Sequence, residues 1–167
     1  MTVQIEYVVR VGRDEFRPPT DLTDEQIPTV VSDDVYGRLI FRRNDDEAFF
    51  EDDLIPLVAG ACFQSMEYLA AHKPWRSWVT RYSGDLGLIT DGNTITATFN
   101  EEPLFAAPAT EMIAALLDVG RRAIDDLSPI LAHYPAGSDH HNSLVALRAE
   151  AEAAVRASPY PLPHDMQ

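Results

Sequence analysis

The chain has 167 residues, 27 acidic and 13 basic, for a net charge of −14. At 46% apolar residues a chain of this length can hide roughly 68–70% of its unfolded surface in a single α+β-sized core. Its acidity opposes binding to phosphate backbones and anionic lipid, which argues against nucleic acid and membrane surfaces as partners.

The first element is the clearest. Val3, Ile5, Tyr7, Val9 and Val11 alternate with Thr2, Gln4, Glu6, Val8 and Arg10, the period-2 pattern of a half-buried strand. Gly12-Arg13-Asp14 ends it. Residues 14–34 carry Pro18-Pro19, Pro28 and many acids and read as a loop, with a short strand at Thr29-Val30-Val31. A second strand covers Val35–Arg43, with Tyr36, Arg38, Ile40 and Arg42 on one face and Val35, Gly37, Leu39 and Phe41 on the other. Asn44-Asp45-Asp46 is a turn signal.

A helix is expected over 53–72. Asp52 or Asp53 is its N-cap, Pro56 falls in the first turn, and Val58, Cys62, Met66 and Leu69 recur at helical spacing. His72 and Lys73 suit the negative end of its dipole, and Pro74 stops it. Strands follow at Trp75–Tyr82, Leu86–Thr90 and Thr94–Phe99, the last two joined by the hairpin signal Asp91-Gly92-Asn93. A second helix spans about 108–127, and Pro129 leaves room for one more turn to His133. A third, alanine-rich helix runs from an N-cap at Ser138 to about Ala157. Ser158–Pro163 reads as an extended polyproline-like tail. The expectation is a single α+β domain over 1–157, an antiparallel sheet of about five strands with about three helices mainly on one face, and a tail over 158–167.

The acids are unevenly placed. Residues 14–53 hold 13 acids against Arg17, Arg38, Arg42 and Arg43, a net of −9. The densest run, Asp45-Asp46-Glu47-Ala48-Phe49-Phe50-Glu51-Asp52-Asp53, surrounds two adjacent phenylalanines. Carboxylates steer a basic partner and pair with its Lys or Arg, while an exposed aromatic ring supplies desolvated area. The same run also fits a solvated turn and helix start with both rings turned inward. Asn100-Glu101-Glu102-Pro103-Leu104-Phe105 is a second acidic, aromatic-bearing loop. The candidate partner-binding residues are therefore Asp45, Asp46, Glu47, Phe49, Phe50, Glu51, Glu101 and Glu102.

Other chemistry finds little support. The acidic run lacks the spacing and glycine of a calcium loop. His133, Asp139, His140 and His141 lack the spacing of a metal site, so no metal or other cofactor is expected. No nucleophile elbow, phosphate loop, dinucleotide fingerprint or deaminase motif occurs in the chain, so no catalytic residue is nominated. Cys62, the single cysteine, reads as a core thiol. It cannot form an internal disulfide, and the first residues lack a basic and an apolar region of an export signal; both fit a cytoplasmic protein. The near-apolar stretch from Leu54 to Phe63 is too short to span a bilayer. Twelve arginines against the lone Lys73 suggest a GC-rich bacterial genome. Arg121 with Asp125 and Arg122 with Asp126 have the spacing of surface ion pairs.

In size, charge and layout, with acidic aromatic-bearing segments at Asp45–Asp53 and Asn100–Phe105, the chain resembles the immunity proteins of bacterial polymorphic-toxin systems. The resemblance is one of class and carries over no individual residue. It implies a proteinaceous inhibitor that binds one cognate toxin, often a nuclease with a basic cleft. Two other readings stay open: a small-molecule-binding domain or enzyme with a pocket lined by Trp78, Tyr82 or Tyr7, and a homo-oligomeric scaffold built through the last helix.

Overall fold

A computed structural model of the chain describes residues 2–30, 35–79, 84–133 and 137–160. The alternating N-terminus forms β1 (Gln4–Gly12), which turns at Arg13-Asp14 into the short β2 (Glu15–Arg17). In place of the expected strand at 29–31, Ile27–Val30 forms a 3-10 turn. Pro28, with fixed φ and no amide donor, suits a turn better than a ladder; Val31 lies outside the described residues. β3 (Tyr36–Arg43) pairs antiparallel with β1, with Ile5 opposite Phe41 and Tyr7 opposite Leu39.

The acidic run departs from expectation. It is a strand, β4 (Asp46–Asp53), joined to β3 by a two-residue turn in which Asn44 adopts a φ of 56°. Acids are poor strand formers in isolation, but the register sets Glu47 opposite Arg42 and Glu51 opposite Arg38, so each carboxylate meets a cation across the ladder. The first sheet has the order β2-β1-β3-β4.

Asp53 then caps the expected helix, its Oδ1 accepting from the Ile55 amide at 3.2 Å. The helical rod over 54–70 comprises α1 (Leu54–Val58), a π turn (Ala59–Gln64) and α2 (Ser65–Ala70). It ends two residues earlier than expected, by a left-handed cap. His72 takes a φ of 55°, its amide donates to Leu69 O at 3.0 Å, and the Lys73 amide donates to Tyr68 O at 2.8 Å, the paired bonds of a Schellman motif.

The second sheet is a meander of β5 (Trp75–Val79), β6 (Gly84–Thr90), β7 (Thr94–Phe99) and β8 (Glu102–Pro108). Residues 80–82 of the expected strand lie outside the described residues. β8 replaces an expected loop: Asn100 and Glu101, with φ of 49° and 69°, make a tight hairpin turn, and the strand follows at once. Pro103 and Pro108 belong to it because an edge strand tolerates residues without an amide donor. Two sheets of four strands thus stand where one of about five was expected.

The last third is helical as read, α3 (Ala109–Asp126), α4 (Ser128–Leu131) and α5 (Gly137–Arg156), except that Ser138, expected as the N-cap, lies inside α5. The expected ion pairs on α3 are different ones. Arg121 and Arg122 both reach back to Asp118, at 2.8 and 2.9 Å, the orientation that matches the helix dipole. Asp126 instead accepts the Tyr7 hydroxyl at 2.5 Å.

The helices cover the inner face of both sheets. Ile5, Tyr7, Val9, Leu39, Phe41 and Phe50 of the first, and Trp75, Leu86, Leu88, Ile95, Ala97 and Phe105 of the second, join the buried faces of the rod, α3 and α5 in one cluster from Val3 to Tyr160. Phe41 links the two halves, its ring 5.6 Å from Phe50 and 5.7 Å from Phe105. The described part of the C-terminal segment folds back on this body, with Tyr160 only 6% exposed. Among the described residues no helix is long and apolar enough to cross a membrane.

Candidate protein-docking face

Strand neighbours point to opposite faces of a sheet, so the burial of Leu39, Phe41 and Phe50 fixes what lies outside. Across the outer face of the first sheet run Glu6 and Val8 from β1, Phe16 from β2, Tyr36, Arg38, Ile40 and Arg42 from β3, and Glu47, Phe49 and Glu51 from β4. Its centre is aromatic and cationic. The Arg38 guanidinium is stacked between two rings, 4.0 Å from the centroid of Phe16 and 4.4 Å from that of Phe49. Cation–π contact of this kind contributes about 0.5–1 kcal/mol at exposed sites. Glu51 holds the same side chain from beside, accepting from Arg38 Nε at 2.5 Å and from the Tyr36 hydroxyl at 2.8 Å.

A second brace crosses three strands. Arg42 donates from Nη1 to Glu6 and from Nε to Glu47, both at 2.6 Å. The bond to Glu47 does most to push the guanidinium pKa above its ordinary value; burial opposes it, and the bond to Glu6 raises it further. The pair is solvent-exposed, so its worth lies in geometry more than in stability.

The sequence-nominated residues divide on this frame. Asp45 and Asp46, both exposed, mark the tip of the β3–β4 hairpin, with Glu47 beside them. Phe49 is 47% exposed on the outer face, midway along the edge strand β4. Phe50 is turned the other way and is 4% exposed, inside the core; Glu51 is on the outer face but 9% exposed beneath Arg38 and Tyr36. As placed, Phe50 offers no surface to a partner, and Glu51 acts on one through the side chains it holds, Arg38 and Tyr36 among them. Glu101 and Glu102 belong to the second sheet, where Glu101 pairs with Arg76 at 2.8 Å. The two acidic segments thus lie on different sheets.

Sequence reasoning missed Phe16, Tyr36 and Arg38 as parts of this face. The signal was present: charged and aromatic residues alternate in 36–42 and again in 47–51, and two such patterns set antiparallel place their polar faces together. No family model, curated protein or solved structure matches the chain.

The remaining candidates resolve more simply. Among the described residues no group of histidine, cysteine and carboxylate side chains could hold a metal ion. Cys62 is fully buried, and burial pushes its thiol up to about 12, so it carries no thiolate at neutral pH. Tyr7 and Trp78 do not converge on one pocket. Tyr7 is buried on the inner face of the first sheet, its pKa raised by burial and then by the bond to Asp126. Trp78, 59% exposed, lies opposite Asp85 on the outer face of the second sheet. Tyr82 lies outside the described residues.

Proposed function

We propose that this protein is an acidic protein-binding module, an immunity-type inhibitor that neutralises a basic partner such as a toxin, and that it docks through the outer face of the first sheet. The observation that carries this reading is Phe49. A large apolar ring, about half exposed, is fixed over Arg38 midway along the edge strand β4 on the outer sheet face, with Asp45, Asp46 and Glu47 at the adjoining hairpin tip. Contact anchors of this type concentrate binding energy, while surrounding charges set encounter rate and partner choice. The chain's charge of −14 favours a partner built to attract anions, and a nuclease cleft is one such surface.

The test is co-expression of the chain with the products of its neighbouring genes, followed by affinity measurement at low and high salt. The expected result is a complex that weakens as salt rises. Phe49→Ala should weaken it by about 2 kcal/mol or more, roughly thirtyfold, while lowering the thermal midpoint of the free protein by no more than a few degrees, the worth of its contact with Arg38. A complex indifferent to both salt and Phe49→Ala, or no complex, overturns the proposal.

A further inference from the structure

A groove of about 680 Å³ opens between α2, β5 and α5, with Glu67 and Tyr68 on one wall, Glu150 on the other, and Trp75, Arg76 and Ser77 along its side. Those last three residues define its course. Trp75 pairs with the buried Leu88 and is 5% exposed, so it points inward; Arg76, opposite Gly87, points outward and reaches Glu101; Ser77, opposite Leu86, is on the inner face again but exposed. A groove touching three successive residues of one strand follows that strand's edge, since no single face presents all three. β5 is the terminal strand of its sheet, and among the described residues it is paired with β6 alone. Among the described residues its second row of backbone N–H and C=O groups has no ladder partner, the arrangement that accepts another strand.

The groove also has a chemical preference. Its floor is apolar, from Phe63, Trp75 and Ala151, each 5% exposed or less. Its rim carries the exposed carboxylates of Glu67 and Glu150, while among the described residues lining it the one cation, Arg76, is matched by Glu101 at 2.8 Å. The surplus charge is negative.

We propose that the edge of β5 takes up an extended, lysine- or arginine-bearing segment of a protein partner as a fifth strand of the second sheet. The added backbone bonds to Trp75–Val79, a run of about 16 Å, and its basic side chains reach Glu67 and Glu150. This is strand addition, in which main-chain bonds give affinity and alternate side chains give selectivity. It is independent of the Phe49 face, which lies on the other sheet.

The test uses the full chain and a blocked heptapeptide of alternating lysine with threonine or valine, beside the same peptide with glutamate for lysine. Binding is read by anisotropy, and amide hydrogen exchange is followed residue by residue. The expected result is that the lysine peptide binds, slows exchange within residues 75–79, and loses at least tenfold in affinity to the Glu67→Lys, Glu150→Lys double variant. Phe49→Ala should bind it as the parent chain does, and the glutamate peptide should not bind. Both substituted positions are exposed on helices, and the exchange measurement on the unsubstituted chain stands without them. No binding at millimolar lysine peptide, binding without slowed exchange at 75–79, or equal binding by the double variant overturns the proposal.

Discussion

Asp91 closes the β6–β7 hairpin with one side chain. Its Oδ1 accepts from the amides of Asn93 at 2.9 Å and Thr94 at 2.8 Å, and Gly92 supplies the φ of 97° that lets the chain turn between them. The Thr94 bond, then that of Asn93, holds the carboxyl below its ordinary value, roughly 3.9 in a free peptide. A depressed folded value fixes the sign: the stabilising contribution is complete above the unfolded carboxyl range and is lost as pH falls through the folded value. An NMR titration is expected to place Asp91 below the free-peptide value, and Asp91→Asn should remove that part of the acid dependence of stability. An unshifted titration would contradict it. The turn itself was legible, since Asp-Gly-Asn names its own geometry. The left-handed Glu101 was not, because glutamate does not advertise a positive φ.

At the scale of elements, the strongly patterned segments read correctly and the hidden ones share a cause. β1 and β3 alternate, and α3 carries a broad apolar stripe, so each declares its own partner surface. β4 and β8 do not. Glu47 and Glu51 of β4 are stabilised by Arg42 and Arg38 of β3, and the prolines of β8 are tolerated only because it is an edge; both facts depend on the surrounding sheet. The π turn is equally invisible, yet it sets a tight contact. At Gly120 of α3, an added Cβ would lie 2.7 Å from the Phe63 ring and 2.9 Å from Cys62 Cβ. Gly120→Ala raises helix propensity by roughly 1 kcal/mol, but overpacking of this kind costs about 1–3 kcal/mol. The expected outcome is a lowered urea midpoint with an unchanged slope; a stabilised variant would show that the helices part without strain.

For the whole molecule, the C-terminal segment matters more than its proline-rich sequence suggested. Tyr160 is buried, its ring stacked 5.6 Å from that of His72 and its hydroxyl 3.3 Å from Thr90 Oγ1. The segment after α5 thereby fastens to the second sheet and to the cap of the 54–70 rod. Tyr160→Ala is expected to destabilise the chain by about 1.5–3 kcal/mol, the worth of a buried side chain of this size, whereas Tyr160→Phe should cost about 1 kcal/mol or less, since only one hydroxyl contact is lost. Chemical denaturation of the two variants separates these outcomes. Proline spacing conveys extension but not attachment, so the docking was beyond sequence reasoning. The candidate site was legible in part for a similar reason. Composition located the acids and the rings, but which of Phe49 and Phe50 faces outward depends on register with β3.

The stack of Phe16, Arg38 and Phe49 has a thermodynamic consequence. Immobilising a free side chain at an interface costs about 0.5–1.5 kcal/mol in lost rotamer freedom. Phe49 rests on a guanidinium that Phe16 and Glu51 already hold in place, so much of that ordering is complete in the unbound protein. Any molecule meeting this face meets a ring that has little motion left to surrender.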